Sequence, residues 1–182
     1  MTNKIKLGLL SIALSGSLYA ENVDIGTGFV GIEVGNTQLQ AARYMNIYDG
    51  NTYNAFYEGS GIEFGLKLGA QNQEWRTSFV IDYYDNEDED QNYEKAMVMI
   101  DYFLINAYEN ETNIRPYIGA NLGYMGYEST FIDESDFVYG GQAGIVMNVS
   151  SVDVDLSYRY SLFNGDTADT MGSIMVGVNY LY

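Results

Sequence analysis

The chain ends in Gly172-Ser-Ile-Met-Val-Gly-Val-Asn-Tyr-Leu-Tyr182, where an apolar or aromatic residue occupies every second position from Ile174. Successive side chains of a strand point to opposite faces, so one face would carry Ile174, Val176, Val178 and Tyr180. A last strand with an unpaired edge invites aggregation. We therefore predict that this stretch pairs in antiparallel sense with the first strand, Gly28–Gly35, and closes a barrel.

The same alternation recurs along the chain in eight runs. They are Gly28–Gly35, Gly61–Gly69, Trp75–Tyr84, Tyr93–Asn106, Ile114–Tyr127, Val138–Val149, Val152–Phe163 and the closing stretch. An even number of alternating segments of about ten residues is typical of bacterial outer-membrane barrels. The pattern predicts an all-β protein, an eight-stranded antiparallel up-and-down transmembrane β-barrel.

The connections between the runs alternate in length. The longer ones are Asn36–Ser60, Asp85–Asn92, Glu128–Phe137 and Asn164–Thr170, and the shorter ones are Ala70–Glu74, Ala107–Asn113 and Ser150–Ser151. In outer-membrane barrels short turns face the periplasm and longer loops face outward. The alternation therefore predicts that both chain ends lie on the periplasmic side.

In the middle of the eight runs, charged residues are confined to one face. That face carries Glu33, Glu63, Lys67, Arg76, Asp82, Lys95, Asp101, Arg115, Asp153, Asp155 and Arg159. An Arg or Lys on the lipid face at mid-bilayer costs about 2–4 kcal/mol, so a membrane barrel must turn these residues inward. A soluble barrel would have the opposite arrangement. We predict a polar network in the barrel lumen, and favour a structural core over a gated ion or proton path because eight strands leave little space inside.

Two further residue types fit this arrangement. Glycines on the inward face are expected to make room for Lys, Arg and Met side chains. Aromatic residues near the ends of the runs are interpreted as interfacial girdles, although ordinary strand propensity explains some of them. They are Trp75, Tyr83, Tyr93, Tyr102, Tyr117, Tyr124, Tyr158, Tyr180 and Tyr182.

Residues 1–20 are typical of a cleaved secretory signal. Lys4 and Lys6 precede a short apolar segment, Leu7–Leu14, which is too short to span a membrane as a helix. The predicted domains are a signal peptide, 1–20, and a barrel, 21–182. Cleavage would remove two of the eight basic residues and no acid, leaving six bases, 25 acids and a net charge of −19.

The composition argues against several functions. A net charge of −17 disfavours nucleic-acid binding, and the lack of Cys removes disulfides and thiolate metal sites. The lack of His removes the commonest general base and zinc ligand, so we expect no catalytic, cofactor-binding or metal site. The acidic run Asp85–Asp90 is interpreted as a solvated loop rather than a Ca²⁺ or Mg²⁺ site, since it lacks the spacing of a calcium loop.

The chain resembles the OmpA-like family of small outer-membrane β-barrels over residues 21–182. The resemblance rests on Arg115-Pro-Tyr-Ile-Gly-Ala-Asn-Leu-Gly-Tyr124, on Val154-Asp-Leu-Ser-Tyr-Arg-Tyr160 and on the aromatic last residue, Tyr182, where Phe is commoner. It implies that the closing strand, with Tyr180 and Tyr182, is a signal read by the outer-membrane assembly machinery. It also implies a monomer that contacts outer-membrane lipid and lipopolysaccharide.

Fold does not determine the role of such barrels. The first hypothesis is a non-enzymatic outer-membrane protein with a structural or surface-interaction role. The alternatives are a narrow porin-like channel for small solutes or ions, and a secreted soluble ligand-binding barrel. The segment Arg43–Tyr57, rich in Tyr and Asn, is either a surface-binding loop or a mobile tip.

Overall fold

A computed structural model describes residues 26–46, 52–86, 91–105, 113–129, 132–163 and 170–182. These residues form β1 (Thr27–Asn46), β2 (Thr52–Gln71), β3 (Trp75–Asn86), β4 (Gln91–Phe103), β5 (Ile114–Ser129), β6 (Ile132–Val149), β7 (Val152–Phe163) and β8 (Thr170–Leu181). No helix in the described part of the chain is long and apolar enough to cross a membrane. The predicted signal peptide, 1–20, lies outside the described residues.

The eight strands form one closed antiparallel barrel in chain order, which confirms the predicted fold class. Each strand pairs with its neighbours in sequence, and β8 pairs with β1. In this closing pair Val176 lies opposite Val34, and Tyr180 lies opposite Val30. The backbone N–H of Tyr182 donates a hydrogen bond of 2.9 Å to the carbonyl of Gly28. The backbone groups at the edge of the closing strand are therefore paired with β1, as the sequence predicted.

The first two strands are longer than predicted. The segment Asn36–Ser60, predicted as a long loop, mostly continues the β1–β2 pairing as far as Asn46 and Thr52. The pattern ended early because polar residues such as Asn36 and Gln38 occupy the outward face beyond Val34. An antiparallel ladder needs only backbone groups, so it persists where the apolar alternation stops. The predicted surface loop Arg43–Tyr57 thus falls largely on paired strands.

The other connections also depart from the predicted alternation of lengths. The segment Glu128–Phe137, predicted as a loop, is strand up to Ser129 and again from Ile132. At the other end of the barrel, β4 ends at Phe103 rather than at Asn106. Loop length therefore does not distinguish the two ends of the barrel. In the acidic run Asp85–Asp90, residues 87–90 lie outside the described part.

Apolar side chains cover the outside of the barrel. Exposed positions include Val30, Ile32, Val34, Ile62, Phe64, Leu66, Leu68, Ile81, Val98, Ile100, Ile118, Leu122, Ile145, Leu156, Ile174, Val176 and Val178. Ile32 and Leu66 each leave 63% of their surface exposed and lie opposite each other on β1 and β2. Water would penalise so much exposed apolar surface, whereas lipid acyl chains would not.

Apolar groups inside the barrel form three small clusters. One contains Leu39, Tyr84, Tyr93, Met125 and Met171, a second contains Val80, Met97, Met99 and Val138, and a third contains Phe103, Tyr117 and Val146. The rings of Tyr84 and Tyr93 stack with their centroids 4.4 Å apart. Buried charges fill the space between these clusters.

Candidate functional site: the charged interior

The candidate site is the set of charged side chains inside the barrel. The structure places all eleven predicted lumen residues on the inward face, and each is buried. They come from six of the eight strands: Glu33, Glu63, Lys67, Arg76, Asp82, Lys95, Asp101, Arg115, Asp153, Asp155 and Arg159. Alternation alone put them on one face, and closure of the sheet brings them together.

Arg159 on β7 lies among three carboxylates from β1, β2 and β3. Its Nη2 is 2.8 Å from Glu33 Oε1, and its Nη1 is 3.1 Å from Asp82 Oδ2 and 3.6 Å from Glu63 Oε1. Lys95 on β4 binds two of the same acids, at 2.9 Å from Glu63 and 3.3 Å from Asp82. Two cations thus share three buried carboxylates.

Arg76 on β3 forms a second centre closer to the end of the barrel where β1 begins and β8 ends. Its Nε donates to Asp101 at 2.8 Å and its Nη1 donates to Asp155 at 2.7 Å. Lys67 joins the two centres, because its Nζ lies 2.6 Å from Glu33 and 3.8 Å from Asp155. Nine charged groups among the described residues are therefore connected by ion pairs.

Arg115 and Asp153 form a separate pair near the turns. Their closest charged atoms are 3.7 Å apart, and the Arg115 guanidinium lies 4.0 Å from the centre of the Phe103 ring. Gln71 and Asn148 donate to Asp153 at 2.6 and 2.7 Å. These amides satisfy the lone pairs of Asp153 that Arg115 does not reach.

Neutral side chains complete the network, and the sequence reasoning did not assign them to it. The hydroxyls of Thr37 and Tyr93 donate to Glu63 Oε2 at 2.5 and 2.6 Å. Tyr117 donates to Asp155 at 2.8 Å, and Gln142 donates to Asp101 at 2.5 Å. Thr37, Tyr93 and Tyr117 each point to the same face as a buried charged residue on their own strand, as Tyr93 does with Lys95, and this shared face was the available signal.

Tyr93 and Tyr117 correct the predicted aromatic girdles. Both side chains are buried in the barrel and donate to carboxylates rather than lying at an interface. The other aromatics of that set point outward and are exposed: Trp75, Tyr83, Tyr102, Tyr124, Tyr158, Tyr180 and Tyr182. The position of an aromatic residue near a strand end therefore predicted its location less well than the alternation of inward and outward side chains along the strand.

Inward glycines accommodate acids, methionines and a tyrosine. A Cβ at Gly65 would contact Asp82 Oδ1 and Glu33, and one at Gly119 would contact Asp101 Oδ1. Other inward glycines lie against Met175, Met97 and the Tyr117 ring. The expected room for Met is present, but Lys and Arg are not among the nearest atoms at any described glycine. The long cations instead cross the lumen between the strands.

The chemistry of this site is ion pairing. Among the described residues, no group of three or more acidic, His or Cys side chains is arranged to hold a metal ion. The largest fully buried side chains include Arg76, Arg159, Tyr84, Tyr93, Tyr117, Phe29 and Lys95. These side chains occupy the lumen, as expected for an eight-stranded barrel.

Comparison with known proteins shows the fold. No known family pattern and no curated protein sequence matches the chain. Among solved structures, Neisserial surface protein A (NspA) matches with a TM-score of 0.65 and 16% identity over 85% of this chain and 97% of NspA. The outer membrane protein OprG from Pseudomonas aeruginosa matches with a TM-score of 0.57 and 11% identity over 86% and 96%.

A third structure, outer membrane protein H (OprH) from P. aeruginosa in DHPC micelles, matches with a TM-score of 0.51 and 17% identity over 84% of this chain and 99% of OprH. The chain therefore has the fold of small eight-stranded outer-membrane β-barrels, as the resemblance predicted.

Proposed function

We propose that this protein is a non-enzymatic, integral outer-membrane barrel with a structural or surface-interaction role. Its interior is a structural core made of ion pairs. The observation that carries the proposal is the division of the two faces: apolar side chains are exposed outside while nine linked charges are buried inside.

The energetics of the two faces support a lipid environment. Burying an apolar side chain such as Leu66 in lipid rather than in water stabilises the protein by about 1.5–3 kcal/mol. Many such side chains surround the barrel. The protein in water would lose this stabilisation at each of them. The polar residues Asn36 and Gln38 then mark where β1 leaves the apolar band on its outward course.

The proposed route and partners follow from the sequence. Residues 1–20 direct export and are removed, and the closing strand with Tyr180 and Tyr182 is read by the outer-membrane assembly machinery. Both tyrosines are exposed at the end of the barrel. In the membrane the barrel is a monomer that contacts lipid and lipopolysaccharide, and it binds no nucleic acid.

The proposal of a non-enzyme rests on the chain's own residues. The chain contains no His, and its buried acids are occupied with Arg and Lys partners. A carboxylate whose two oxygens both receive such partners is a poor general base, because taking up a proton would weaken these contacts. Fold alone would not decide this point, since one fold hosts many functions.

The outer end of the barrel is where a surface role would be carried. Among the described residues, the β1–β2 hairpin extends beyond the partners of both strands: β8 pairs with β1 as far as Gln40, and β3 pairs with β2 from Ile62. Twenty residues per strand correspond to about 66 Å of extended chain, whereas 9–11 residues suffice to cross a membrane. The hairpin is thus long enough to project from the lipid surface.

Fractionation tests the proposal. We expect the expressed protein in the outer-membrane fraction, released only by detergent, and migrating faster on a gel when it is not heated. Recovery of the folded protein from a detergent-free soluble fraction would overturn the membrane location and favour a soluble ligand-binding barrel.

A further inference from the structure

The nine linked charges of the interior do not balance. Within the described residues, the cluster holds five carboxylates and four cations: Glu33, Glu63, Asp82, Asp101 and Asp155 against Lys67, Arg76, Lys95 and Arg159. Every member is at most 4% exposed. An uncompensated charge in such a place is costly, and a carboxylate relieves this cost by binding a proton.

The hydrogen-bond donors around these five carboxylates identify one exceptional oxygen. Both oxygens of Glu33, Glu63, Asp101 and Asp155 receive a hydrogen bond or an ion pair. Asp82 receives Lys95 and Arg159 on Oδ2, and its Oδ1 is buried with no hydrogen-bond partner in the described part of the chain. Nine of the ten carboxylate oxygens thus have partners that stabilise a negative charge, and Asp82 Oδ1 is the one oxygen of this cluster that has none.

The packing around Asp82 keeps further donors away from this oxygen. Gly65 lies opposite Asp82 on β2, so closely that a Cβ there would contact Oδ1. The charged and titratable groups around Asp82 are Lys95 from β4, Arg159 from β7, Glu63 from β2, Glu33 from β1 and Tyr93 from β4. Lys95 is shared with Glu63, and Arg159 is shared with both Glu33 and Glu63.

We propose that the interior network binds one proton and that Asp82 carries it on Oδ1. The proton is taken from solvent when the barrel closes, and the carboxylate becomes a neutral acid, so the cluster of five acids and four bases reaches zero charge. A bound divalent metal ion could also compensate the excess negative charge, but the described residues offer no site for one. The proposal concerns the barrel interior and does not depend on the role of the outer end.

Infrared difference spectroscopy of the purified barrel at neutral pH tests this inference. The C=O stretch of a protonated carboxyl group is separate from the carboxylate bands. We expect one such buried band in the wild-type protein and its loss in Asp82→Asn. Glu74→Gln changes an exposed turn acid and serves as the control, in which the band remains.

A matched pair of variants separates the proton from a general effect on folding. Asp82→Asn replaces a neutral acid with a neutral isostere, so its midpoint of denaturation is expected to stay near that of the wild type. Asp101→Asn removes a charge that pairs with Arg76 at 2.8 Å and is expected to lower the midpoint. Absence of a protonated carboxyl band in the wild type, or its persistence in Asp82→Asn, would overturn the proposal.

Discussion

Arg159 lies at the centre of three carboxylates in a space closed to solvent. It binds Glu33 and Asp82 directly, and it also donates to Met99 Sδ at 3.6 Å. A guanidinium suits this place because it offers five donors in a fixed plane, so it can serve several acceptors at once. Arg159 is central to the ion-pair network, because its loss would leave three acids sharing Lys67 and Lys95.

Arg159→Met should therefore destabilise the barrel severely. Removing one partner of a buried ion pair costs about 3–5 kcal/mol, because the remaining charges stay buried without compensation. The free energy of unfolding in lipid vesicles, from reversible urea titration, measures the effect. Tyr160→Phe, a change at the adjacent exposed position, is the control and should shift stability by no more than about 0.5 kcal/mol. Equal stability of Arg159→Met and wild type would show that the ion pairs are not the core.

Gly65→Ala tests the close packing at the same centre. The added Cβ would collide with Asp82 Oδ1 and Glu33, so we expect a loss of about 1–3 kcal/mol from overpacking. Gly177→Ala is the matched control, because its nearest atoms would lie at 3.4 Å or more, in ordinary contact. The same unfolding titration compares the two, and equal stabilities would contradict the packing described at Gly65.

At the scale of the strand, alternation predicted which face each residue occupies. The inward parity of Glu33 on β1 and of Arg159 on β7 was readable from their neighbours, but their contact was not. The two residues are 126 positions apart, and only the stagger of the closed sheet determines which inward residues meet. Strand ends were also unreadable at Asn36–Ser60, because backbone pairing continues where the outward face turns polar.

Val34→Arg and Gln38→Arg test the extent of the apolar band along β1. Both positions point outward on the same strand, but Val34 lies opposite Phe64 and Val176, whereas Gln38 lies opposite Ser60 and Gly172. An Arg near mid-bilayer costs about 2–4 kcal/mol and one near the interface about 0–1 kcal/mol. Folding titrations in vesicles should show this order, and equal costs at both positions would mean that the band does not end between them.

The closing strand leads to a prediction about assembly. Tyr182 is 75% exposed, and its backbone already bonds to Gly28, so its side chain contributes little to the interior. If the aromatic end is read by the assembly machinery, deletion of Tyr182 should lower the yield of folded protein in the outer membrane. Tyr182→Phe keeps the ring and should retain the yield. Unchanged insertion after deletion would remove the proposed signal.

In the molecule as a whole, large side chains occupy the interior of the barrel. Arg76, Lys95, Arg159 and three tyrosines are all fully buried across the lumen. A filled interior favours the structural role over the narrow channel. We expect no conductance steps when the purified barrel is inserted into planar lipid bilayers, while a large porin in the same bilayer conducts. Reproducible steps would instead favour the channel.

The outward apolar side chains contact lipid, whereas the charged side chains contact one another inside the barrel. The single Trp allows a direct test in a Trp75→Phe background carrying Leu66→Trp, which places one indole at a highly exposed outward position opposite Ile32. Fluorescence is measured in vesicles of lipids brominated along their acyl chains and, separately, with aqueous acrylamide. We predict strong quenching by the brominated lipid and little by acrylamide. Strong acrylamide quenching without an effect of brominated lipid would show that the outward face contacts water rather than lipid.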